Sequence, residues 1–247
     1  MASLKNLFRQ ALARARLRLV RDRHPGARYL DRVPGKPLDF LIHWLFPDLH
    51  GLRILQIGAN DGVRNDPLYP WIRDYRWSGC LVEPMPDFAA RLRQLHDQSP
   101  GIEIVEAAVG INGGSAVLHY IDPSLTGLPT WASGLATLDP NRARDAAVSL
   151  GLSPANVLTR SVAMITVQEL LARFDPTEPQ LVAIDTEGFD IKLATVLLEA
   201  GCRPRILHFE HACVSASERW AFVQHLHALD YETVSFGGDT TAFCATR

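Results

Sequence analysis

The 247-residue chain is poor in several features that would each have pointed to a different class of protein. Its four cysteines (Cys80, Cys202, Cys213 and Cys244) form no C-x-x-C pair. Three of them sit in strand-like or apolar surroundings, so they read as reduced core thiols rather than as a disulfide framework or a redox motif. No apolar run is long enough to span a bilayer and no signal-peptide core is evident, which makes the cytoplasm the expected compartment. Internal repeats and low-complexity segments are lacking, and so is any H-E-x-x-H or H-x-x-E spacing. Net charge is only −2 but unevenly spread: residues 1–36 hold ten Lys/Arg against Asp22 and Asp31, leaving a net of −10 on the remainder. An acidic body argues against nucleic acid as a partner.

What is present is an apolar fraction of 47%, suited to one large α/β domain. The chain is organised around Leu55-Gln56-Ile57-Gly58-Ala59-Asn60-Asp61-Gly62. A strand-like run, Leu52 to Ile57, stops in a glycine turn and opens into what reads as a helix start. Glycine admits close approach of a ligand, and the free N–H groups of a helix start favour an anion. Strand, glycine turn and helix start form the nucleotide-pocket opening of a doubly wound sheet. Twenty-five positions beyond Gly58, Cys80-Leu81-Val82-Glu83 is a buried-strand run ending in a carboxylate, where this fold bonds the two hydroxyls of a ribose. The turn is Gly-x-x-x-Gly rather than Gly-x-Gly-x-x-Gly, which disfavours a dinucleotide. S-adenosylmethionine is therefore the leading candidate cofactor, its carboxylate at the helix N-terminus.

The rest of the chain reads in the same terms. Residues 4–20 have helical apolar spacing (Leu4, Phe8, Leu12, Ala15, Leu19) with arginines between. Such a basic arm would either pack on the domain or a second subunit, or touch an anionic membrane surface through residues 1–24. Residues 1–50 are taken as this arm plus an apolar lead-in helix from Phe40 to Phe46, and residues 51–247 as the main domain. Helices are expected over Pro67–Tyr75 and from Pro86, with a third strand over Ile102–Glu106. Residues 121–160 lack strong periodicity and contain Pro123, Gly127, Pro129, Trp131 and Gly134, which reads as a loop-rich, substrate-facing insertion. Thr166-Val167-Gln168-Glu169 is a capping box for a helix through Phe174. Leu181–Ile184 and Ile206–Phe209 are buried strands, Gly201 ends the helix between them, and Ser215 to Glu218 is a second capping box. Two alternating strands around Gly237-Gly238-Asp239 close the chain as a hairpin. The expected fold is a Rossmann-like, mostly parallel seven-stranded sheet with a C-terminal antiparallel hairpin and helices on both faces.

Ligands in such sheets lie beyond the carboxyl ends of the strands. Those ends carry Gly58-Ala59-Asn60, Glu83, Asp185 and Glu210-His211, and clustered acids there cost stability unless they serve a ligand. Ala107 and Ala108 are small enough to leave room for an adenine ring. For methyl transfer to a hydroxyl, Asp185 and His211 are the candidate bases. Glu187, Glu210 and Trp131 are placed toward substrate, and Asp190 caps its helix. Asp185, Glu187, Glu210 and His211 offer ligand atoms to a divalent ion, but no spacing singles out a metal and none is expected.

Ile57 to Gly62, Val82-Glu83-Pro84, Ala108-Val109 and Ile184-Asp185-Thr186-Glu187-Gly188-Phe189-Asp190 together resemble the FkbM-type methyltransferases, from about Leu52 to the C-terminus. The resemblance implies S-adenosylmethionine-dependent O-methylation of a glycan, glycolipid or secondary-metabolite hydroxyl. It implies that Gly58, Ala59, Asn60 and Gly62, with Glu83 and Pro84, hold the cofactor, while Asp185 and Glu187 line the reacting end. Gln56, also assigned to the cofactor, stands where family members usually carry an acid. A non-catalytic scaffold and, less favoured, a nicotinamide-dependent oxidoreductase are the alternatives. No heptad run declares an oligomeric state.

Overall fold

The structure, a computed structural model, describes residues 37–99, 101–129, 131–173 and 179–245. The basic arm, its amphipathic helix over 4–20 and Phe174 lie outside the described residues. Among those described, no helix is long and apolar enough to cross a membrane.

The described residues begin with helix α1 (Pro37–Leu45), then β1 (Arg53–Ile57), α2 (Tyr69–Tyr75), β2 (Ser78–Val82), α3 (Pro86–Leu95) and β3 (Ile102–Val105). A second group follows: β4 (Ala108–Gly110), β5 (Gly114–Ile121), β6 (Ala136–Thr137), α4 (Pro140–Ser149), a short 3-10 turn and β7 (Val157–Thr166). The last group is α5 (Val167–Leu171), β8 (Leu181–Ile184), α6 (Asp190–Glu199), β9 (Ile206–Glu210), α7 (Ala216–Ala228), β10 (Glu232–Phe236) and β11 (Asp239–Phe243).

The main sheet has seven strands in the order β10-β11-β9-β8-β1-β2-β3. The pairs from β9 to β3 are parallel, and β11 runs antiparallel to both β9 and β10. This is the Rossmann-like architecture expected from the sequence. Its strands are short apolar runs because both faces are covered. Leu55, Ile57, Val182 and Phe209 point into a core with Leu193, Leu197 and Phe222 of α6 and α7. Ile54, Leu81, Leu181 and Ile206 point the other way, against Leu41 and Ile42 of α1 and Trp71 of α2. Local signals set the boundaries: Thr166 and Glu169 form the reciprocal capping box before α5, and Gly201 follows α6 in a left-handed conformation (φ +91°).

Residues 121–160 depart from the loop-rich insertion expected. They are part of a second, four-stranded sheet in the order β4-β7-β5-β6, backed by α4. β5 and β7 pair antiparallel along eight residues, Gly114↔Met164 to Ile121↔Val157. The sequence hides β7 and α4 for a physical reason. Within β7 only Val162 is fully buried, so the strand lacks a run of apolar alternation, and α4 packs through the small Ala143, Ala146 and Ala147. Small or half-exposed contacts hold a shape without writing a strong hydrophobic period.

Candidate functional site

β1 is the strand from which the sheet order runs both ways: β2 pairs on one side and β8 on the other. The crevice beyond the strand ends opens there, as the topology demands. Gly58 and Ala59 donate their N–H groups to the Val82 carbonyl at 2.9 and 3.1 Å, curling the chain over the end of β2. Gly58 has φ +84°, and a Cβ at this position would lie 1.8 Å from the Asp185 carbonyl oxygen. The turn therefore requires glycine, on both torsional and steric grounds. Asn60 also holds a positive φ, 51°.

Glu83, 4% exposed, follows β2. One carboxyl oxygen accepts from the Asn60 N–H and the other from the Met85 N–H, each at 2.8 Å. Each oxygen keeps a further lone pair, so the group remains able to accept from two ligand hydroxyls. Burial pushes its carboxyl up to about 7. Beside it, Ala107 joins Ala108, Leu118 and Ala136 of the second sheet and the adjacent Leu138 in an apolar part of the cavity lining.

The far end is acidic. Asp185, Glu187, Glu210 and Asp239 all line the cavity, with His208 among them. Asp185 is reached by solvent through the cavity, yet protein surrounds its carboxyl. That burial, with Glu210, Glu187, Asp190 and Asp239 around it, holds the carboxyl well above the usual range. Glu210 is pushed up to about 7 by burial and then by Glu187. Fully buried Asp190 organises the loop: it accepts from the Thr186 N–H, the Thr186 hydroxyl and the Gly188 N–H, each at 3.1 Å. Those bonds hold Glu187 at φ 56° and Gly188 at φ 113°, which turns the Glu187 side chain toward Arg142, whose Nη2 lies 2.8 Å from its carboxylate.

The second sheet and α4 form the roof, tied to both sides of the crevice. Asn60 Nδ2 donates to the Gly134 carbonyl at 3.2 Å and Arg64 to the Ser133 hydroxyl at 2.8 Å. On the other side, the Thr137 hydroxyl donates to the Glu187 carbonyl at 3.0 Å, beside the Arg142–Glu187 pair. Trp131, 43% exposed, stands at the rim.

Of the residues singled out from the sequence, Gln56, Gly58, Ala59, Asn60, Glu83, Pro84, Ala107, Ala108, Trp131, Asp185, Glu187 and Glu210 meet in this one cavity. Two do not. Gly62 (φ +72°) turns the chain against Leu92, and a Cβ there would lie 2.5 Å from that side chain, so it serves packing. His211 is buried, with Nδ1 2.9 Å from the Thr240 hydroxyl, and is not part of the cavity lining. Strand alternation is the reason: residues two apart share a face, so Glu210 brings His208 to the cavity. His208 Nδ1 lies 2.9 Å from the Thr241 hydroxyl, and its Nε2 is 4.0 Å from Asp239. His208 and Asp239 went unrecognised, although counting back two from Glu210 identifies the histidine. Arg64 and Asp66 were also missed, because loop residues carry no period.

The wall suits a ligand with hydroxyls at one end and positive charge at the other. Among the described residues the cavity lining holds Asp66, Glu83, Asp185, Glu187, Glu210 and Asp239 against a single guanidinium, Arg64. Glu187, Glu210 and Cys213 also come within 4.8 Å of one another. A cation from outside the trio, the Arg142 guanidinium, already pairs with its Glu187, and burial pushes the Cys213 thiol up to about 12.

A family model described as the methyltransferase FkbM domain matches residues 56–233. Comparison with curated proteins gives no significant match. Among solved structures, the chain is similar to a methyltransferase FkbM from Methylobacillus flagellatus, at 11% identity and a TM-score of 0.46, covering 79% of this chain and 44% of that one. It thus spans less than half the length of that relative. It is also similar to an RNA methyltransferase from Salinibacter ruber (15% identity, TM-score 0.39, 86% and 92% covered). A third is a SAM-dependent methyltransferase from Geobacter sulfurreducens (14%, 0.39, 85% and 69%). Both of these were solved in complex with S-adenosylhomocysteine.

Proposed function

The chain belongs to the FkbM methyltransferase family, and from that premise we propose that it is an S-adenosylmethionine-dependent O-methyltransferase acting on a hydroxyl of a glycan, glycolipid or secondary metabolite. The observation that carries the reading is the convergence, in one cavity, of a glycine turn that admits no side chain, a buried strand-end carboxyl and an acid-lined far end. When bound, the cofactor supplies a methyl group on a sulfonium, whose carbon–sulfur bond breaks with its electron pair left on sulfur.

The chain's own residues do the rest. Glu83 would accept from the ribose hydroxyls, and Ala107, Ala108, Leu118 and Leu138, which line the same cavity, would enclose the adenine. Holding donor and acceptor in line is worth roughly 7–11 kcal/mol of barrier. Asp185 takes the proton of the acceptor hydroxyl. Its carboxyl makes no hydrogen bond or ion pair among the described residues, opens to the cavity, and is held well above the ordinary value, which makes it a better base near neutral pH. Glu187, fixed by Arg142, and Glu210, with Trp131 at the rim, form the acceptor side.

The test is calorimetric titration with S-adenosylhomocysteine, followed by methyl transfer from labelled cofactor to a panel of sugars, glycolipids and phenols. Micromolar binding is expected, with turnover on a hydroxyl acceptor that falls about 10²-fold or more in Asp185→Asn while cofactor still binds. Wild-type protein that shows no heat with the nucleoside is incompatible with the proposal. Binding without turnover across the panel favours a non-catalytic scaffold.

A further inference from the structure

The loop between β1 and α2 carries a carboxylate with no counter-ion among the described residues. Asp66 lines the cavity, and its Oδ1 accepts the N–H groups of Leu68 and Tyr69 at 2.6 and 3.0 Å. Its Oδ2 accepts from Gln56 Nε2 at 3.2 Å. Among the described residues no Lys or Arg pairs with it; Arg64, two residues earlier, is bonded to Asp61 and Ser133.

Gln56 shares that wall and is 5% exposed. A carboxylate only accepts, so the NH2 of Gln56 faces Asp66 and Oε1 points elsewhere. That oxygen is buried without a hydrogen-bond donor among the described residues. The Gln56 oxygen is closed off from the cavity, so Gln56 acts by orienting Asp66. The Asp66 carboxylate, on the cavity wall and without a cationic partner among the described residues, suits a cation bearing N–H donors.

The place in the sheet says which part of a ligand arrives there. Gln56 lies two residues before Gly58, in register with Leu81 on β2 and Ala183 on β8. Ala183 is small and itself lines the cavity. A ligand that starts at Glu83 after β2 and runs past Gly58 toward Asp185 after β8 passes over this pair. We infer that Asp66, oriented by Gln56, binds the α-ammonium group at the amino-acid end of the cofactor. The inference rests on the cofactor reading above and adds a residue and a ligand group to it.

The experiment compares S-adenosylhomocysteine with 5′-methylthioadenosine, which keeps the adenosine and thioether but has no ammonium. Both are titrated calorimetrically into full-length wild type and Asp66→Asn. The asparagine retains an oxygen for the Leu68 and Tyr69 N–H groups, so the loop keeps its shape. Wild type should bind the homocysteine compound at least tenfold more tightly. In the variant that ligand should weaken tenfold or more, with methylthioadenosine unchanged. Equal weakening of both ligands would assign Asp66 a purely structural role, and unchanged binding of both would remove it from the site. Either result overturns the inference while leaving the cofactor reading standing. If neither compound binds wild type, the cofactor reading fails and takes the inference with it.

Discussion

Glu83 shows how one residue joins fold and site. Its two oxygens each receive a backbone N–H, one from the glycine turn after β1 and one from the chain leaving β2, so it staples two strand exits before any ligand is present. A glutamine has one acceptor oxygen and would set its NH2 against one of those N–H groups, at a cost of about 1–3 kcal/mol. The pH dependence isolates the carboxyl itself. Its folded value is about 7 against an ordinary 4.5, so the folded state holds the proton more tightly. The stability it contributes is complete below about 4.5 and is lost as pH rises through 7, a swing on the order of 3 kcal/mol. Thermal denaturation at pH 5 and pH 8 should show wild type losing more stability than Glu83→Gln over that interval; parallel behaviour would show that the carboxyl is not perturbed. Glu83 was legible because an acid that ends an apolar strand stands out. Asp66 was not, since a loop acid eight residues beyond a glycine turn resembles any solvated side chain until its partner is seen.

Among the elements, the parallel strands β1, β2, β8 and β9 were readable nearly to the residue, because a strand buried on both faces is an unbroken apolar run that stops where polarity returns. What that signal cannot give is which polar neighbour turns inward. β9 places Leu207 and Phe209 in the core beneath α6 and α7, and sends His208 and Glu210 to the cavity. His211, the next residue, is bonded to Thr240 at the start of β11. His211→Ala should therefore lower the melting temperature, with a cost of about 1–3 kcal/mol, while the protein that remains folded binds S-adenosylhomocysteine as wild type does. A variant of normal stability but weakened cofactor binding would return His211 to the site.

Taken whole, the molecule concentrates negative charge in its cavity, where Glu83 and Glu210 are both pushed up to about 7 and Asp185 is also raised. The cavity becomes more anionic as pH passes through neutrality. S-adenosylmethionine and S-adenosylhomocysteine share the ammonium and differ by the sulfonium charge. The affinity of the first relative to the second should thus rise between pH 6 and pH 8, by about tenfold or 1.4 kcal/mol. Calorimetry at the two pH values checks this, and a constant ratio would show that these acids do not sense the sulfonium.

The roof over this cavity is one uninterrupted length of chain. Leu118, Trp131, Gly134, Ala136 and Leu138 all belong to the stretch from β4 to β7, while the glycine turn, Glu83, Asp185 and Glu210 come from the main sheet on either side of it in sequence. The cavity is thus closed by one passage of chain set between the two halves of the main sheet. A change of length or sequence between residues 108 and 166 would therefore reshape the cavity from above while leaving the glycine turn, Glu83, Asp185 and Glu210 where the main sheet holds them.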